Sequence, residues 1–391
     1  MNLPSAIADK PALKESFTST GSKIFWHQEA LSNMRNKKGQ PIVAHILPTD
    51  VCQDTCGMCS VMTRDGKSLS FADVKGILDQ LCPLKLKAVI ISGGGNPILW
   101  RCRESKADFN DLISEIVGRG LQVGLITNGL KMKEYPCGRT SWVTVRPETL
   151  DKLTWVRISM SGLDHERRSV EVPDIDTSKT TLGFSYIYHD IFHAPNEPNH
   201  GKVSTLRDFQ KHQGEDATPI VEYADDRLPW LEEQIRFYVE KYNPKYCRLL
   251  CDCLRPDLID QRHATLSAMA GRINPDICFS QWKPPSQPRA CYKGYPHPVI
   301  NSDGGVFFCD SVVLNTATNA DANHKFSNQW RVCHWSELGD LYSKPMVPGV
   351  PNTICPGCVF HQQVEMLADI VEGVMEIPPP PSEEPEHSAF I

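Results

Sequence analysis

Three cysteines lie within eight positions in the stretch TDVCQDTCGMCSVM, residues 49–62. Cys52, Cys56 and Cys59 form a C-x3-C-x2-C pattern in a chain that holds 15 cysteines. Clustered cysteines of a reducing compartment more often bind metal or carry out redox chemistry than form disulfides. Three thiolates on one short loop can occupy three corners of a cubane iron–sulfur cluster, whereas a structural zinc site needs a fourth protein ligand. Apart from His45, no further Cys or His lies nearby, so the pattern favours a cluster with one open iron.

A second group of cysteines lies towards the end of the chain. Cys291, Gly304 and Cys309 form a C-x12-G-x4-C pattern, and the motif CPGC supplies Cys355 and Cys358. Four thiolates are enough to close a further iron–sulfur cluster. A structural zinc site with four cysteines suits the same spacing, so both metals stay open on spacing alone.

The overall composition excludes several classes of protein. The chain is 40% hydrophobic and 23% charged, with a net charge of −6, which is typical of a globular protein without a basic surface for general nucleic-acid binding. The first residues lack a basic segment followed by an apolar run, and no run reaches the roughly 18 apolar residues of a membrane span. We therefore expect a cytoplasmic protein that does not cross a membrane.

Short apolar runs alternate with helix-like segments from residue 41 onward. The runs that read as strands are PIVAHILP, KAVIISGGG, QVGLITNG, LTWVRISMSG, TLGFSYIYHD and YCRLLCDCL. Helical periodicity occupies 70–81, 107–120 and 228–242. This alternation predicts βαβ units and a parallel sheet, and therefore an α/β fold with a partial (β/α)6 barrel. Ligands of such a fold bind at the carboxyl ends of the strands, which is where the first cysteine loop falls.

The chain divides into four predicted parts. They are an N-terminal extension over 1–40, the partial barrel over 41–275, a small Cys-rich domain over 276–372 and a disordered Pro- and Glu-rich tail over 373–391. The Cys-rich part should contain a β-hairpin with its turn at Asp303-Gly304. His189, His193 and His200 fall in or beside a segment rich in Pro, His and Asn, and they have no compact ligand spacing, so we expect them at the surface.

The C-x3-C-x2-C loop after the first strand of a partial α/β barrel resembles the radical S-adenosylmethionine (radical SAM) superfamily. The resemblance covers about residues 41–255. It implies that Cys52, Cys56 and Cys59 hold a [4Fe–4S] cluster whose open iron binds S-adenosyl-L-methionine. It also implies that cleavage of this cofactor yields a 5′-deoxyadenosyl radical, which abstracts hydrogen from a substrate.

The resemblance extends to the ends of the next three strands, where SGGGNP (92–97) is similar to the family's Gly-Gly-Glu-Pro element. It assigns cofactor contacts to six residues, Gly94, Gly95, Asn96, Asn128, Ser159 and Met58. Two of these depart from the family pattern. Met58 stands where an aromatic residue is usual, and its soft thioether can still pack there. Asn96 replaces a glutamate, which keeps an acceptor oxygen but removes the negative charge.

The second cysteine set resembles the auxiliary-cluster domains, called SPASM and twitch, that follow the barrel in many radical SAM enzymes. The longer SPASM pattern needs a further Cys at position 364, which is Val364 in this chain. The resemblance therefore favours the shorter, one-cluster twitch arrangement. It implies that Cys291, Cys309, Cys355 and Cys358 hold a second iron–sulfur cluster.

These resemblances imply an oxidoreductase or isomerase that oxidises, isomerises or cross-links a peptide or a small molecule. They also imply an electron donor such as flavodoxin or ferredoxin. A second interpretation is modification of a nucleobase or modified nucleotide, in DNA or RNA as in phage hypermodification, which requires only local positive charge. An interpretation of another class is a non-catalytic zinc or iron–sulfur binding protein.

Overall fold

The structure is a computed structural model, and it describes part of the chain. The described residues are 17, 22–54, 56, 66–129, 145–164, 169–189, 223–252, 256–283, 286–310, 331–349 and 358–391. Of the sequence predictions above, Cys59, Met58, Cys355, His193 and His200 lie outside these ranges.

Ten described strands form one sheet. They are β1 Val43–Ile46, β2 Ala88–Ile91, β3 Gln122–Thr127, β4 Trp155–Ser159, β5 Thr181–Tyr188, β6 Tyr246–Cys251, β7 Cys278–Gln281, β8 Val299–Ile300, β9 Gly305–Phe307 and β10 Cys333–His334. Strands β1 to β7 lie parallel and in chain order, which confirms the predicted parallel α/β sheet. Among the described strands, β7 and β10 are the two edges and do not pair, so the barrel is partial.

Eight described α-helices accompany the sheet. They are α1 Gln28–Arg35, α2 Phe71–Leu81, α3 Phe109–Gly118, α4 Pro147–Leu150, α5 Tyr223–Tyr242, α6 Pro256–Ile273, α7 Leu338–Ser343 and α8 His361–Val371. Capping boxes fix the starts of α2 and α3, at Ser70 with Asp73 and at Asp108 with Asp111. The buried residues of α2 recur at helical spacing, as the sequence pattern predicted.

Two differences from the sequence analysis concern the segment after residue 275. The short run Cys278–Gln281 forms β7 and extends the parallel sheet beyond β6. It has no β-branched residue to mark it as a strand. The predicted hairpin is present as β8 and β9, but β8 also pairs in parallel with β1, so the hairpin continues the barrel sheet instead of standing apart from it.

The end of the chain packs against the sheet, where the sequence analysis expected a disordered tail. Ser388, Ala389, Phe390 and Ile391 are buried. The ring of Phe390 meets the ring of Trp155 edge-on at 5.2 Å, and His27 Nε2 donates to the carbonyl of Ser388 at 2.9 Å. The expectation failed because the proline and glutamate residues dominate the composition of the tail, while its last five residues, HSAFI, are mostly apolar.

We expect Phe390→Ala to lower the free energy of unfolding by about 3 kcal/mol, because the ring is 6% exposed and its loss leaves a cavity beside Trp155. Urea denaturation of the full chain measures this. Val374→Ala is the control, since Val374 lies in the same tail but is 70% exposed, and it should change stability by less than about 0.5 kcal/mol. Equal effects of the two substitutions would show that the tail is not packed.

Candidate active site

The first cysteine loop follows β1 at the carboxyl edge of the sheet. Cys52 and Cys56 are both partly buried, and neither forms a disulfide. The loop is fixed from one side by Thr49, whose hydroxyl lies 2.7 Å from the hydroxyl of Ser68 and accepts the backbone N–H of Val51 at 3.1 Å. The two thiols are therefore held on an anchored loop at the end of the sheet where α/β proteins bind ligands.

The glycine segment after β2 lies directly against this loop. Gly95 donates its N–H to the carbonyl of Thr49 at 3.2 Å, and Asn96 donates its N–H to the carbonyl of Val51 at 2.8 Å. A Cβ at Gly95 would lie 2.1 Å from the Val51 carbonyl oxygen, which no side chain tolerates. Glycine at this position thus permits the backbone of the segment after β2 to lie close against the cysteine loop. Gly94 beside it is buried.

Asn96 connects the cysteine loop to the end of β3. The side chain is 2% exposed, and its Oδ1 accepts the hydroxyl of Thr127 at 2.9 Å. Its Nδ2 donates to Gln53 Oε1 at 3.4 Å. A glutamate could not make this donation, so the amide suits a loop that presents the oxygen of Gln53.

Asn128 makes a second connection to the same loop. Its Nδ2 donates to the buried carboxylate of Asp54 at 2.9 Å, and its Oδ1 accepts Gln53 Nε2 at 3.2 Å. Gln53 and Asp54 lie between Cys52 and Cys56 in the sequence. Their role was missed from the sequence alone, although polar side chains inside a cysteine motif can indicate that hydrogen bonds hold the loop in place.

The two faces of the sheet have different partners. Ser280 Oγ lies 3.1 Å from His263 Nδ1 of α6, and Phe184 meets Tyr242 of α5 edge-on, so these side chains point towards the helices. Side chains of a strand alternate between faces. Ser185 directly follows Phe184 and therefore lies on the opposite face. Ser159 and Arg248 pair with Ser185 on the two neighbouring strands, so they lie on that face as well.

We call this face, which lies opposite helices α5 and α6, the concave face of the partial barrel. It carries the side chains of Arg157 and Arg248. Burial lowers the pKa of His45 to about 4 and lowers the pKa of Arg248 to about 9. Ser159, predicted to contact the cofactor, lies at the carboxyl end of this face and is half-buried.

His189 is buried, which corrects the expectation that it lies at the surface. Its Nε2 lies 3.1 Å from Asp164 Oδ2, and Asp164 Oδ1 accepts Tyr186 at 2.9 Å and Arg227 at 2.5 Å. Burial alone would raise the pKa of Asp164, but His189, Arg227 and Tyr186 outweigh burial and hold that pKa below its usual value. These contacts connect the ends of β4 and β5 to α5. The residues are far apart in the sequence, so their spacing along the chain does not predict the cluster.

Three cysteines of the second set, Cys291, Cys309 and Cys358, lie within the described ranges. Burial raises the pKa of the Cys309 thiol well above its usual value, and Asp310, Cys358 and Cys291 act on it in the same direction while Lys293 opposes them. Cys358 exchanges backbone hydrogen bonds with Ser286, and Cys291 exchanges them with Gly349. That these cysteines gather at one metal site stays a prediction.

Across the described ranges, no group of three or more His, Cys, Asp and Glu side chains has the arrangement of a metal site. Each predicted cysteine set has one member outside those ranges, Cys59 in the first and Cys355 in the second. The residues that are described fit an iron–sulfur cluster in their chemistry, since soft thiolates on an anchored loop are its usual ligands. The part of the chain that is described also contains no helix long and apolar enough to cross a bilayer.

No family model matches the sequence, and no curated protein matches it. Solved structures that the chain resembles include Streptococcus suis SuiB bound to precursor peptide SuiA, at 12% identity and a TM-score of 0.47, with 93% of this chain and 80% of that chain covered. Another is anSMEcpe with bound AdoMet and Cp18Cys peptide, at 12% identity and a TM-score of 0.43, covering 84% and 83%. A third is BtrN in complex with AdoMet and 2-DOIA, at 12% identity and a TM-score of 0.33, covering 90% and 98%.

Proposed function

We propose that this protein is a radical SAM enzyme. The observation that carries the proposal is the cysteine loop after β1, whose residues between Cys52 and Cys56 are hydrogen-bonded to Asn96 and Asn128 at the ends of the next two strands. These hydrogen bonds hold the loop at the carboxyl edge of the parallel sheet, which is where ligands of α/β folds bind.

Each part of the edge has a role in this proposal. Cys52, Cys56 and Cys59 supply the three thiolate ligands of a [4Fe–4S] cluster, and Gly95 lets the segment after β2 lie against their loop. When bound, the cluster would supply the electron that cleaves S-adenosylmethionine to a 5′-deoxyadenosyl radical. Ser159 and the concave face beneath the loop contact the bound cofactor and substrate and separate them from water.

The second cysteine set is proposed to hold an auxiliary iron–sulfur cluster. We assign Cys291, Cys309 and Cys358 to this cluster, with Cys355 of CPGC as the fourth ligand. The proposed substrate is a peptide or small molecule, and the proposed electron donor is a flavodoxin or ferredoxin.

Anaerobic reconstitution of the full chain with iron and sulfide tests the proposal. We expect a brown protein with about eight irons, two cubane clusters' worth, that forms 5′-deoxyadenosine when it is reduced in the presence of S-adenosylmethionine. A colourless protein that retains zinc and cleaves no cofactor would instead support the non-catalytic alternative. About four irons with cofactor cleavage would retain the enzyme and remove the auxiliary cluster.

A further inference from the structure

The concave face contains a buried arginine with an unusual set of neighbours. Arg248 on β6 is 9% exposed. Its NH1 donates to Gln281 Oε1 at 3.1 Å, and its NH2 donates to Ser185 Oγ at 3.2 Å. Both partners are neutral, and within the described part of the chain Arg248 Nε has no hydrogen-bond partner. A buried charge without an opposite charge is costly, which calls for a role other than packing.

Several other described arginines are paired. Arg119, Arg227 and Arg272 each form an ion pair with a carboxylate. Burial and then the charge of Arg157 lower the pKa of Arg248 to about 9. Among the described residues no carboxylate forms an ion pair with Arg248, although the charge of Asp310 acts on its pKa in the opposite direction.

The bonds that Arg248 makes determine what its neighbours can still offer. Gln281 Oε1 accepts from Arg248, and the buried amide Nε2 of Gln281 has no partner among the described residues. Ser185 Oγ also accepts from Arg248, so the hydroxyl hydrogen of Ser185 can still be donated. Together with the Nε–H of Arg248, these groups offer several donors, which is the requirement of an anion-binding site.

These donors lie where a group of a bound substrate would be expected, near the carboxyl edge of the sheet. Arg248 lies in register with Ser159 and reaches Gln281 at the carboxyl end of β7, so its guanidinium points towards the edge that carries the cysteine loop. The other end of the concave face is filled by aromatic residues, with Phe17 stacked on Tyr246 at 4.4 Å and Phe390 against Trp155. Within the described residues, these rings close the end of the face that lies opposite the cysteine loop.

We propose that Ser185, Arg248 and Gln281 form a subsite that binds an anionic oxygen group of the substrate, a carboxylate or a phosphate. A planar guanidinium with neutral donors at its sides matches the geometry of such oxyanions. The inference rests on the proposed function, because it places the anion on the substrate of that enzyme. It directs the search for the substrate to acidic peptides, sugar acids and phosphorylated small molecules.

Calorimetric titration of the reconstituted full chain with inorganic phosphate, and separately with acetate, tests the subsite. We expect wild-type protein to bind at least one of the two anions and Arg248→Gln to bind it about tenfold or more weakly, because a charge-assisted hydrogen bond is lost. Arg272→Gln is the matched control, since it removes the same charge from the exposed surface of α6 and should bind the anion like wild type. Absence of binding by wild type, or equal binding by Arg248→Gln, would overturn the proposal.

A second variant tests the subsite independently, in case Arg248→Gln does not fold. Gln281→Glu keeps the shape of the side chain and places a carboxylate beside Arg248, so it should preserve the melting temperature and abolish anion binding. If Gln281→Glu binds phosphate or acetate as wild type does, the proposal is wrong.

The affinity for S-adenosylmethionine distinguishes a substrate subsite from a cofactor contact. We expect Arg248→Gln to leave this affinity unchanged. A parallel loss would assign the guanidinium to the carboxylate of the cofactor and overturn the substrate subsite. Anion binding is measured without turnover, whereas the proposed function is tested by formation of 5′-deoxyadenosine in wild type. A negative result in one experiment can therefore be distinguished from a negative result in the other.

Discussion

Replacement of Cys52, Cys56 or Cys59 by Ala is expected to abolish formation of 5′-deoxyadenosine. Each substitution removes one of only three thiolate ligands, and the loop offers no further cysteine to replace it. Iron content should fall from about eight to about four per chain, because the second cysteine set is unchanged. Quantification of iron and of 5′-deoxyadenosine in the same reconstituted samples measures both effects.

Cys82→Ala is the control for these variants. Cys82 is partly buried in a short 3₁₀-helix, Cys82–Leu84, that follows α2 and belongs to neither cysteine set. Its loss should leave iron content and cofactor cleavage at the wild-type level. Full cleavage activity in any of the three loop variants would exclude the loop as the site of the reaction.

Gly95→Ala should have the second largest effect, because the added methyl group meets backbone and not a flexible side chain. Its Cβ would lie 2.1 Å from the carbonyl oxygen of Val51 and 2.5 Å from the carbonyl carbon of Asp50. The cysteine loop must move to relieve this overlap, and overpacking of this kind costs about 1–3 kcal/mol. We expect less iron at the first site, a loss of cofactor cleavage of at least about tenfold and a lower melting temperature.

Gly118→Ala is the matched control for the glycine substitution. Gly118 ends α3, and a Cβ there would meet no atom within 4 Å. Alanine in a helix is more favourable than glycine by about 1 kcal/mol, so this variant should be as stable as wild type or slightly more so. If Gly95→Ala behaves like Gly118→Ala, the contact between the glycine segment and the cysteine loop does not support the site.

The sequence was sufficient to predict those parts of the fold that repeat a simple pattern. Alternating apolar runs and helical segments predicted the parallel order of the first six strands, because βαβ units allow few other arrangements. The turn at Asp303-Gly304 predicted the hairpin, since Gly304 adopts a φ of +82°. The edge strand β7 was not predicted, because four residues without periodicity give no signal of their own.

The sequence showed the candidate site only as a cysteine spacing. The bonds of Gln53 and Asp54 to Asn96 and Asn128 depend on where three strands end. The proposed role of Arg248 could not be foreseen, because it rests on the neutral partners Gln281 and Ser185, which the sheet brings beside it. Such features depend on contacts between distant segments, and a local pattern does not contain them.

The concave face connects the proposed sites. The cysteine loop lies at its carboxyl edge, Arg248 lies in register with Ser159 on the same face, and Phe390 packs against Trp155 at the opposite end. The proposed cofactor and the proposed substrate would therefore bind at the same end of this face. Exclusion of water from such a face strengthens every electrostatic contact within it.

Formation of 5′-deoxyadenosine by the reduced, reconstituted full chain is the most direct test of the central claim. We expect wild-type protein to release this nucleoside from S-adenosylmethionine, whereas Cys56→Ala, reconstituted in parallel, should release none. Wild-type protein that carries a full complement of iron and sulfide yet leaves S-adenosylmethionine intact after reduction would contradict the proposed function.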